Sequence, residues 1–346
     1  MKKKIVKLML LCGMVVTLVA VSACGSANVS VDTEFDVNIS TEQNTENGSE
    51  EVSGQEEEST SEQRSEAVKT VVLKLVKEEA VSYSIEDDGS KTEEGNTVKT
   101  YEYDEKGNQI KRINYEDGEL DITVESTYDE MGNLITEKTA MGETGIVRTF
   151  TYAYDEDGNK IREEFDNGKE ELNDLNRVTE FTYDENGNCI YSKGEYADGS
   201  VSSVVNSEYD ENGNLIKESS LYGFAMVPVV TTYEYTYDYE GNIVKRVKKE
   251  DDGTETVDEY TYDENGNVLT HLEEGGYILA PGRYEYTYDA KGNCTKEVLY
   301  FADTGSHWHT IEYTYDENGN LVEKIFYTDD ARIETTYTYV EMEITE

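Results

Sequence analysis

The sequence predicts an all-β fold: tandem antiparallel hairpins joined into one elongated, twisted or partly spiralled sheet, preceded by a disordered tether. Three observations carry that prediction. The pattern Tyr-Asp-x-x-Gly-Asn recurs nine times between Tyr103 and Asn320, at intervals of 25 to 29 residues. Alternating aromatics run up to most copies, and in all but one an apolar residue follows two places behind it. Only two prolines occur, Pro228 and Pro281, and both fall in loop insertions, which leaves the strands free to pair.

Each repeat reads as a hairpin. The aromatics at Tyr101/Tyr103, Tyr152/Tyr154, Phe181/Tyr183, Tyr284/Tyr286/Tyr288 and Tyr313/Tyr315 lie two apart, so each strand presents an aromatic ladder on one face. Thr and Glu between them suit a solvated face. The turn follows. Its aspartates are Asp104, Asp129, Asp155, Asp184, Asp210, Asp238, Asp263, Asp289 and Asp316. Its glycines are Gly107, Gly132, Gly158, Gly187, Gly213, Gly241, Gly266, Gly292 and Gly319. An aspartate here can accept from backbone amides ahead of it, and glycine supplies the positive φ that ends a type I turn with a bulge. The second strand opens with Ile110, Ile135, Ile161, Ile190, Ile216, Val244, Leu269 or Val322, and with Thr295 as the exception.

Looser turns link the hairpins, as at Glu116-Asp117-Gly118, Ala197-Asp198-Gly199, Asp251-Asp252-Gly253 and Asp303-Thr304-Gly305. Insertions collect in this class, at Asn173 to Asn176, Tyr222 to Pro228 and Gly275 to Gly282. Val71 to Val98 reads as a degenerate first unit and Ile333 to Ile344 as a closing strand.

The chain divides into three segments: residues 1–23, 24–66 and 67–346. Lys2, Lys3, Lys4 and Lys7 precede an apolar run from Leu8 to Val21, too short for a permanent membrane span and typical of a secretory signal. The run ends Val21-Ser22-Ala23-Cys24, which resembles the lipobox of bacterial lipoproteins and implies lipid modification at Cys24. Two or three acyl chains there anchor a protein stably, whereas one holds it only marginally. From Gly25 to Glu66 the chain is rich in Ser, Thr, Asn, Gln and Glu, with Arg64 its sole basic residue. Such a segment cannot offset its ordering entropy and is expected to be a disordered spacer, roughly 35–40 Å in root-mean-square span.

The precursor carries a formal charge of −46. Loss of the four signal lysines leaves about −50; the spacer holds 12 acids and one arginine, so about −39 rests on the repeats. That field argues against nucleic acid and against anionic headgroups as partners. Cys12 leaves with the signal. Cys189 and Cys294 hold equivalent repeat positions four units apart, too far along an open sheet to pair, and read as separate packing thiols.

Tyr-Asp-x-x-Gly-Asn-x-hydrophobic at this period resembles the YD repeats of Rhs-type bacterial proteins and teneurins, over about 250 residues of this chain. The resemblance implies hairpins joined into one antiparallel sheet that spirals with its tyrosines inward, and in some members a shell around cargo. This chain lacks the Asp-Pro self-cleaving core that such shells carry, so a short open or half-coiled sheet is expected.

No Gly-x-Ser-x-Gly, His-Glu-x-x-His, Cys-x-x-Cys or phosphate-cradling loop occurs, and the chain reads as a non-enzyme without cofactor. The residues His307-Trp308-His309 form the most unusual cluster; on a regular strand both imidazoles would share one face, as half of a metal site, with Trp308 opposite. They are kept as ligand-contact candidates. The Asp-x-x-Gly-Asn turns resemble a calcium loop in composition but not in spacing, so no metal is expected.

The expectation is a monomeric bacterial lipoprotein on the outer face of the cell membrane. Its repeat array would be a binding or adhesion module for a cell-wall or host glycan or protein, with the membrane as second partner through the anchor. A structural envelope spacer, or an accessory or remnant of an Rhs-type polymorphic toxin system, stands as the alternative.

Overall fold

The computed structural model describes residues 69–223, 227–275 and 282–345. Cys24, the signal and the spacer lie outside the described residues. Twenty strands alternate with short turns. They are β1 Lys69–Ile85, β2 Lys91–Tyr103, β3 Gln109–Glu116, β4 Glu119–Tyr128, β5 Leu134–Met141, β6 Val147–Tyr154 and β7 Lys160–Asp166. A short 3-10 helix, Glu170–Leu175, precedes β8 Arg177–Tyr183, β9 Cys189–Tyr196, β10 Val201–Tyr209, β11 Leu215–Tyr222, β12 Val229–Tyr237 and β13 Ile243–Glu250. Then come β14 Glu255–Tyr262, β15 Val268–Gly275, β16 Gly282–Tyr288, β17 Cys294–Phe301, β18 His307–Tyr315, β19 Leu321–Tyr327 and β20 Ala331–Thr345.

Every strand pairs antiparallel with the next, and β1 pairs with β20 over fifteen positions from Lys69↔Thr345 to Ser84↔Ala331. The sheet is therefore a closed 20-stranded antiparallel barrel and not the open, elongated sheet expected from the sequence. The reason is that both chain ends supply long strands able to pair with each other, which removes both free edges at once. Twenty strands give a girth of roughly 100 Å, or about 30 Å across if round, wide enough to leave a lumen.

The closure completes a tenth repeat. In all nine written hairpins the motif tyrosine pairs with the residue just after the turn, and the next residue is skipped by a bulge, as in Tyr128↔Leu134 and Thr127↔Thr136. The apolar residues that follow each turn, Ile110 to Val322, are these skipped residues. The β20–β1 seam repeats the pattern: Tyr339 pairs with Leu75, Thr338 with Lys77, and Val76 is skipped. Here the turn is replaced by strand ends that run on to Lys69 and Thr345.

The turns form as the residues dictate. At Asp263 the carboxylate Oδ1 accepts from the amides of Asn265 and Asn267, at 2.8 and 2.9 Å, and Oδ2 from Asn267 Nδ2 at 2.9 Å. The Gly266 amide donates to the Asp263 carbonyl at 3.2 Å, with Gly266 at φ +83°. The same set recurs in all nine motif turns, so both oxygens of each aspartate are engaged inside the turn.

Motif tyrosines share one face of the sheet. Tyr101, Val124, Val205, Asp258 and Leu299, all buried, are on that face, because each lies an even number of residues from its motif tyrosine or pairs across to one that does. The opposite face carries exposed residues such as Glu259 and Thr261. A cylinder crowds its concave side and spreads its convex side, so we assign the tyrosine face to the lumen. The expected inward aromatic ladder is thus present, on a curved wall that closes.

The linking turns form the other rim. Asp117-Gly118, Gly199, Gly253 and Gly305 take the positive φ expected of them. Insertions at Tyr222 to Pro228 and Gly275 to Gly282 fall partly outside the described residues, and that at Asn173 to Asn176 overlaps the 3-10 helix.

Candidate binding site on the tyrosine face

The tyrosine hydroxyls have a task the sequence did not reveal. Between successive hairpins the ladder stops short of the motif rim, leaving the carbonyl of the first residue after each turn without a backbone partner. A tyrosine hydroxyl from the next hairpin fills it. Tyr128 donates to Gln109 O at 2.9 Å, Tyr154 to Leu134 O at 2.9 Å, Tyr183 to Lys160 O at 2.8 Å and Tyr209 to Cys189 O at 3.0 Å. Tyr262, Tyr288 and Tyr315 do the same to Ile243, Val268 and Cys294. Tyr103 donates to Leu75 O at 2.7 Å and Tyr339 to Leu321 O at 3.0 Å, so the β20–β1 unit is stapled to its neighbours on both sides like the rest. Each staple satisfies a group that would otherwise be orphaned.

One junction departs. Elsewhere the third residue after the turn pairs with the residue three before the next motif tyrosine, as Lys245 does with Glu259. Between β11 and β12 the partner of Lys217 is Thr232, five before Tyr237. The β12–β13 hairpin is therefore slid by two residues, about 7 Å along the strand. A slip of two keeps every side chain on its face, where a slip of one would have turned the tyrosines outward. Tyr235 takes over the staple to Leu215 O at 2.9 Å. Tyr237 is carried past it to the rim, where its hydroxyl accepts from Asn214 Nδ2 at 2.7 Å. In the slid turn Tyr239 is 95% exposed.

The step opens a depression of about 450 Å³ on the tyrosine face, lined by Tyr209, Gly213, Asn214, Leu215, Tyr235, Ile243, Arg246, Tyr260 and Tyr262. Its floor is held by a buried polar cluster on the wall. Asp258, 1% exposed, accepts from Arg246 Nε and Nη2 at 2.9 Å on Oδ2 and lies 2.9 Å from His271 Nε2 through Oδ1. The His271 ring is stacked between Tyr260 and Tyr284, with centroids 4.5 and 5.3 Å away. Although burial opposes it, His271 and the Arg246 guanidinium hold the Asp258 carboxyl below its usual range. The same ion pair raises Arg246. The cluster ties three hairpins together, and nothing in it forms a nucleophile with a base.

Burial first, with Asp258 and other charges added, pushes Tyr260 up; it pushes Tyr209 and Tyr235 up likewise. These phenols stay neutral hydrogen-bonding groups.

The motifs do not point to this site, yet the sequence carries a signal of it. Asp258 stands four residues before Tyr262, where other repeats carry Val124 and Val205. The longer loop before β12 is visible in the sequence; its mechanical consequence is not.

The other candidates fare differently. His307 and His309 do not share a face: Tyr300 pairs with His307 and Leu299 with His309, so Trp308 is a bulge residue and the histidines point to opposite sides. That corrects the expectation for a regular strand. His307 Nε2 lies 2.9 Å from Thr310 Oγ1, and His309 Nε2 lies 3.8 Å from Glu297 Oε1. Trp308, 43% exposed, stacks on Phe301 at 5.5 Å. Among the described residues no group of three metal-ligating side chains occurs. Cys294 is a free thiol and Cys189 is disulfide-bonded, so the two are not joined to each other and do not form the expected pair of free thiols.

No protein-family model and no curated protein matches the chain. Among solved structures, it is similar to a TcdB2–TccC3–Cdc42 complex at 15% identity and TM-score 0.41, over 77% of this chain and 16% of that one. A TcdB2–TccC3–TEV structure gives 15% and 0.39 over the same shares. A porin-like protein from Bacteroides uniformis gives 13% and 0.33, over 77% of this chain and 96% of that one. The chain thus spans about 16% of the length of the first two. These likenesses are too distant to carry an argument about function.

Proposed function

We propose that this chain is a lipid-anchored surface protein of a bacterium whose barrel is a non-catalytic binding module for carbohydrate. The observation that supports it is the stepped depression: four tyrosines, an arginine and an asparagine around an open space of about 450 Å³. Flat phenol rings offer stacking surface to sugar C–H faces, and Arg246 and Asn214 offer donors to hydroxyls. The anchor reading rests on Val21-Ser22-Ala23-Cys24. Because β1 begins at the motif rim, that rim faces the tether in this reading and the linking loops face outward.

Two measurements test the reading. A glycan-array and calorimetric screen of the mature chain with Cys24→Ser should find a saccharide ligand whose binding falls at least tenfold in Tyr260→Ala. An empty screen would leave a protein-binding module, an envelope spacer or an accessory or remnant of a toxin system as the readings to test next. For the anchor, palmitate labelling should depend on Cys24. A lipidated Cys24 has no sulfur to share, so the anchored protein, once denatured to expose the buried Cys189, should show Cys189 and Cys294 both alkylatable without reductant; a single reactive thiol would overturn the anchor.

A further inference from the structure

The linking rim is uneven. Each linking turn from β3–β4 to β11–β12 leaves a large apolar side chain in solvent. Leu120, Val147 and Val201 stand at the starts of β4, β6 and β10, and Tyr222 and Val229 flank the last link. The turns β1–β2, β13–β14 and β19–β20 expose none among the described residues. Single exposed apolar residues are ordinary, but these occupy successive turns along one arc, about 40 Å from β4 to β12. Backbone bonds tie neighbouring turns of the arc together: Gly142 N donates to Asp121 O at 2.6 Å, Ala197 N to Asn176 O at 2.9 Å and Gly223 N to Ser202 O at 2.7 Å. At its centre stands the 3-10 helix, Glu170–Leu175, which buries no residue. The chain fixes it all the same. Asn167, 8% exposed, donates from Nδ2 to Leu172 O at 2.6 Å, and its amide donates to Asn176 Oδ1 at 3.0 Å. This buried clamp holds Leu172 and Leu175 out in solvent, 39% and 51% exposed, with no core behind them to account for it. Beside the helix, a groove of about 700 Å³ hollows the wall between Arg162, Glu180 and Lys193, on the face opposite the tyrosines.

We propose that this arc is a docking surface for a basic amphipathic polypeptide segment. Its apolar residues would seat on Leu172, Leu175 and Val201, and its lysines or arginines would lie among the flanking carboxylates. Charge selects that occupant. Residues 119–121, 142–148, 166–177 and 195–201 carry nine carboxylates against three cations. Glu170, Glu171 and Asp174 surround the two leucines, and all three are exposed. A second copy of the chain would bring its own excess of acids to the contact, and anionic lipid is repelled for the same reason. A cationic partner is steered to the rim, and the apolar side chains then supply the contact area that water leaves. The arc is separate from the stepped depression, which opens beside the motif turn at Gly213 and Asn214, so neither reading depends on the other.

The test is fluorescence-anisotropy titration of the mature chain, Cys24→Ser, with a labelled Leu/Lys amphipathic helix of about 18 residues, roughly 27 Å long, and with its Leu/Glu counterpart. The Leu/Lys peptide should bind and the Leu/Glu peptide should not. Leu172→Ser combined with Leu175→Ser should weaken binding at least about tenfold, the scale of losing central apolar contacts. Glu170→Gln, Glu171→Gln and Asp174→Asn together should weaken it as well and flatten its salt dependence. Diffuse attraction to an acidic body is controlled by Glu185→Gln, Glu211→Gln and Glu264→Gln on the opposite rim, which together should change affinity less than about twofold. All these side chains are exposed, and circular dichroism with a thermal melt checks that the barrel persists. Binding of neither peptide, binding of both, full affinity in the serine variant, or equal losses from the two sets of acid substitutions would overturn the proposal. So would a dimer on size-exclusion chromatography that the serine variant abolishes, since the arc would then be occupied by a second copy.

Discussion

Hairpins β10–β11 and β12–β13 carry the same six-residue motif, yet one is locked in the common register and the other has slid by a full pleat. In the first, Tyr209 staples the previous hairpin, and the Asp210–Asn214 turn sits below the rim. In the second, the motif tyrosine has lost the staple to Tyr235, two residues earlier, and has become a rim residue. The neighbouring turn registers the strain: Asn214 Nδ2 splits between Asp210 Oδ1 and Oδ2 at 3.2 and 3.1 Å, against a single 2.9 Å bond in the Asp263 turn. A two-residue ladder of tyrosines is thus what permits the slip. Whichever ring arrives at the orphaned carbonyl can cap it, so a loop insertion is absorbed without turning the wall inside out. The space left behind is the one feature that distinguishes this part of the barrel.

The comparison also fixes what holds the ring. The β20–β1 seam has no turn; fifteen paired positions and the exposed Lys69–Glu343 ion pair close it, and the two staples join it to β2 and β19 on either side. Proline at buried Thr335, which pairs with both Ala80 and Lys324, should cost at least about 3 kcal/mol by removing a ladder bond and clashing with its neighbours. Urea unfolding should shift as a whole, because an opened ring exposes two edges. A midpoint unchanged from the parent would mean that closure contributes nothing.

The next effect separates the two registers. Tyr262→Phe and Tyr235→Phe each leave a buried carbonyl unsatisfied, and each should cost about 1–2 kcal/mol. Tyr237→Phe should be within about 0.5 kcal/mol of the parent, since Asn214 keeps its bonds to Asp210 and the ring is already at the rim. Equal losses at Tyr235 and Tyr237 would show that the slid register is not the one adopted in solution.

Proton linkage gives a smaller, graded effect with opposite signs at the two extremes. Tyr288 and Tyr315 are pushed up from 10.0 to about 12, burial first and the Cys294 charge next. A raised folded pKa means the neutral staple stabilises fully below pH 10, and that contribution is lost as pH climbs toward 12. The turn aspartates run the other way. At Asp263 the Asn267 side chain, then its amide, holds the carboxyl below 3.8, so that contribution is present above 3.8 and disappears as pH falls through the lower folded value. Phenolate absorbance followed with circular dichroism should show the stapled tyrosines ionising only as the barrel opens. Ionisation near pH 10 of more than exposed tyrosines such as Tyr239, with the fold intact, would contradict the staples.

Much of this was legible because turn chemistry is local. Asp104 to Asn108 specifies its own bonds, and period-two aromatics specify a face whatever the sheet does next. Curvature was not legible, since closure depends on residues 69–85 and 331–345 meeting across the whole chain. Even so, Leu75-Val76-Lys77-Glu78 copies Leu215-Ile216-Lys217-Glu218, and Tyr337-Thr338-Tyr339 copies Tyr286-Thr287-Tyr288. Two halves of a tenth unit stand at opposite ends of the sequence, hard to recognise because the turn between them is missing. The slid register was equally hidden: it depends on which of Tyr235 and Tyr237 reaches Leu215, a choice between near-equivalent residues. Trp308 misled for a related reason, since a bulge changes facing without changing sequence spacing.

The smallest expected effect is none at all, and it bears on both registers. Composition alone makes each Asp-x-x-Gly-Asn turn look like a cation site. In the common register, Asp263 spends Oδ1 on two amides and Oδ2 on an amide nitrogen at 2.9 Å, so a calcium ion would have to displace bonds the turn already has. The Asp210 turn is the more exposed to such competition, because its Asn214 is shared with Tyr237. A chelator should therefore leave the melting temperature of the parent unchanged, and added calcium should not raise it. If calcium did stabilise the protein, and Tyr237→Phe altered that response, the slid hairpin would be a cation site and the Asn214 bond its gate.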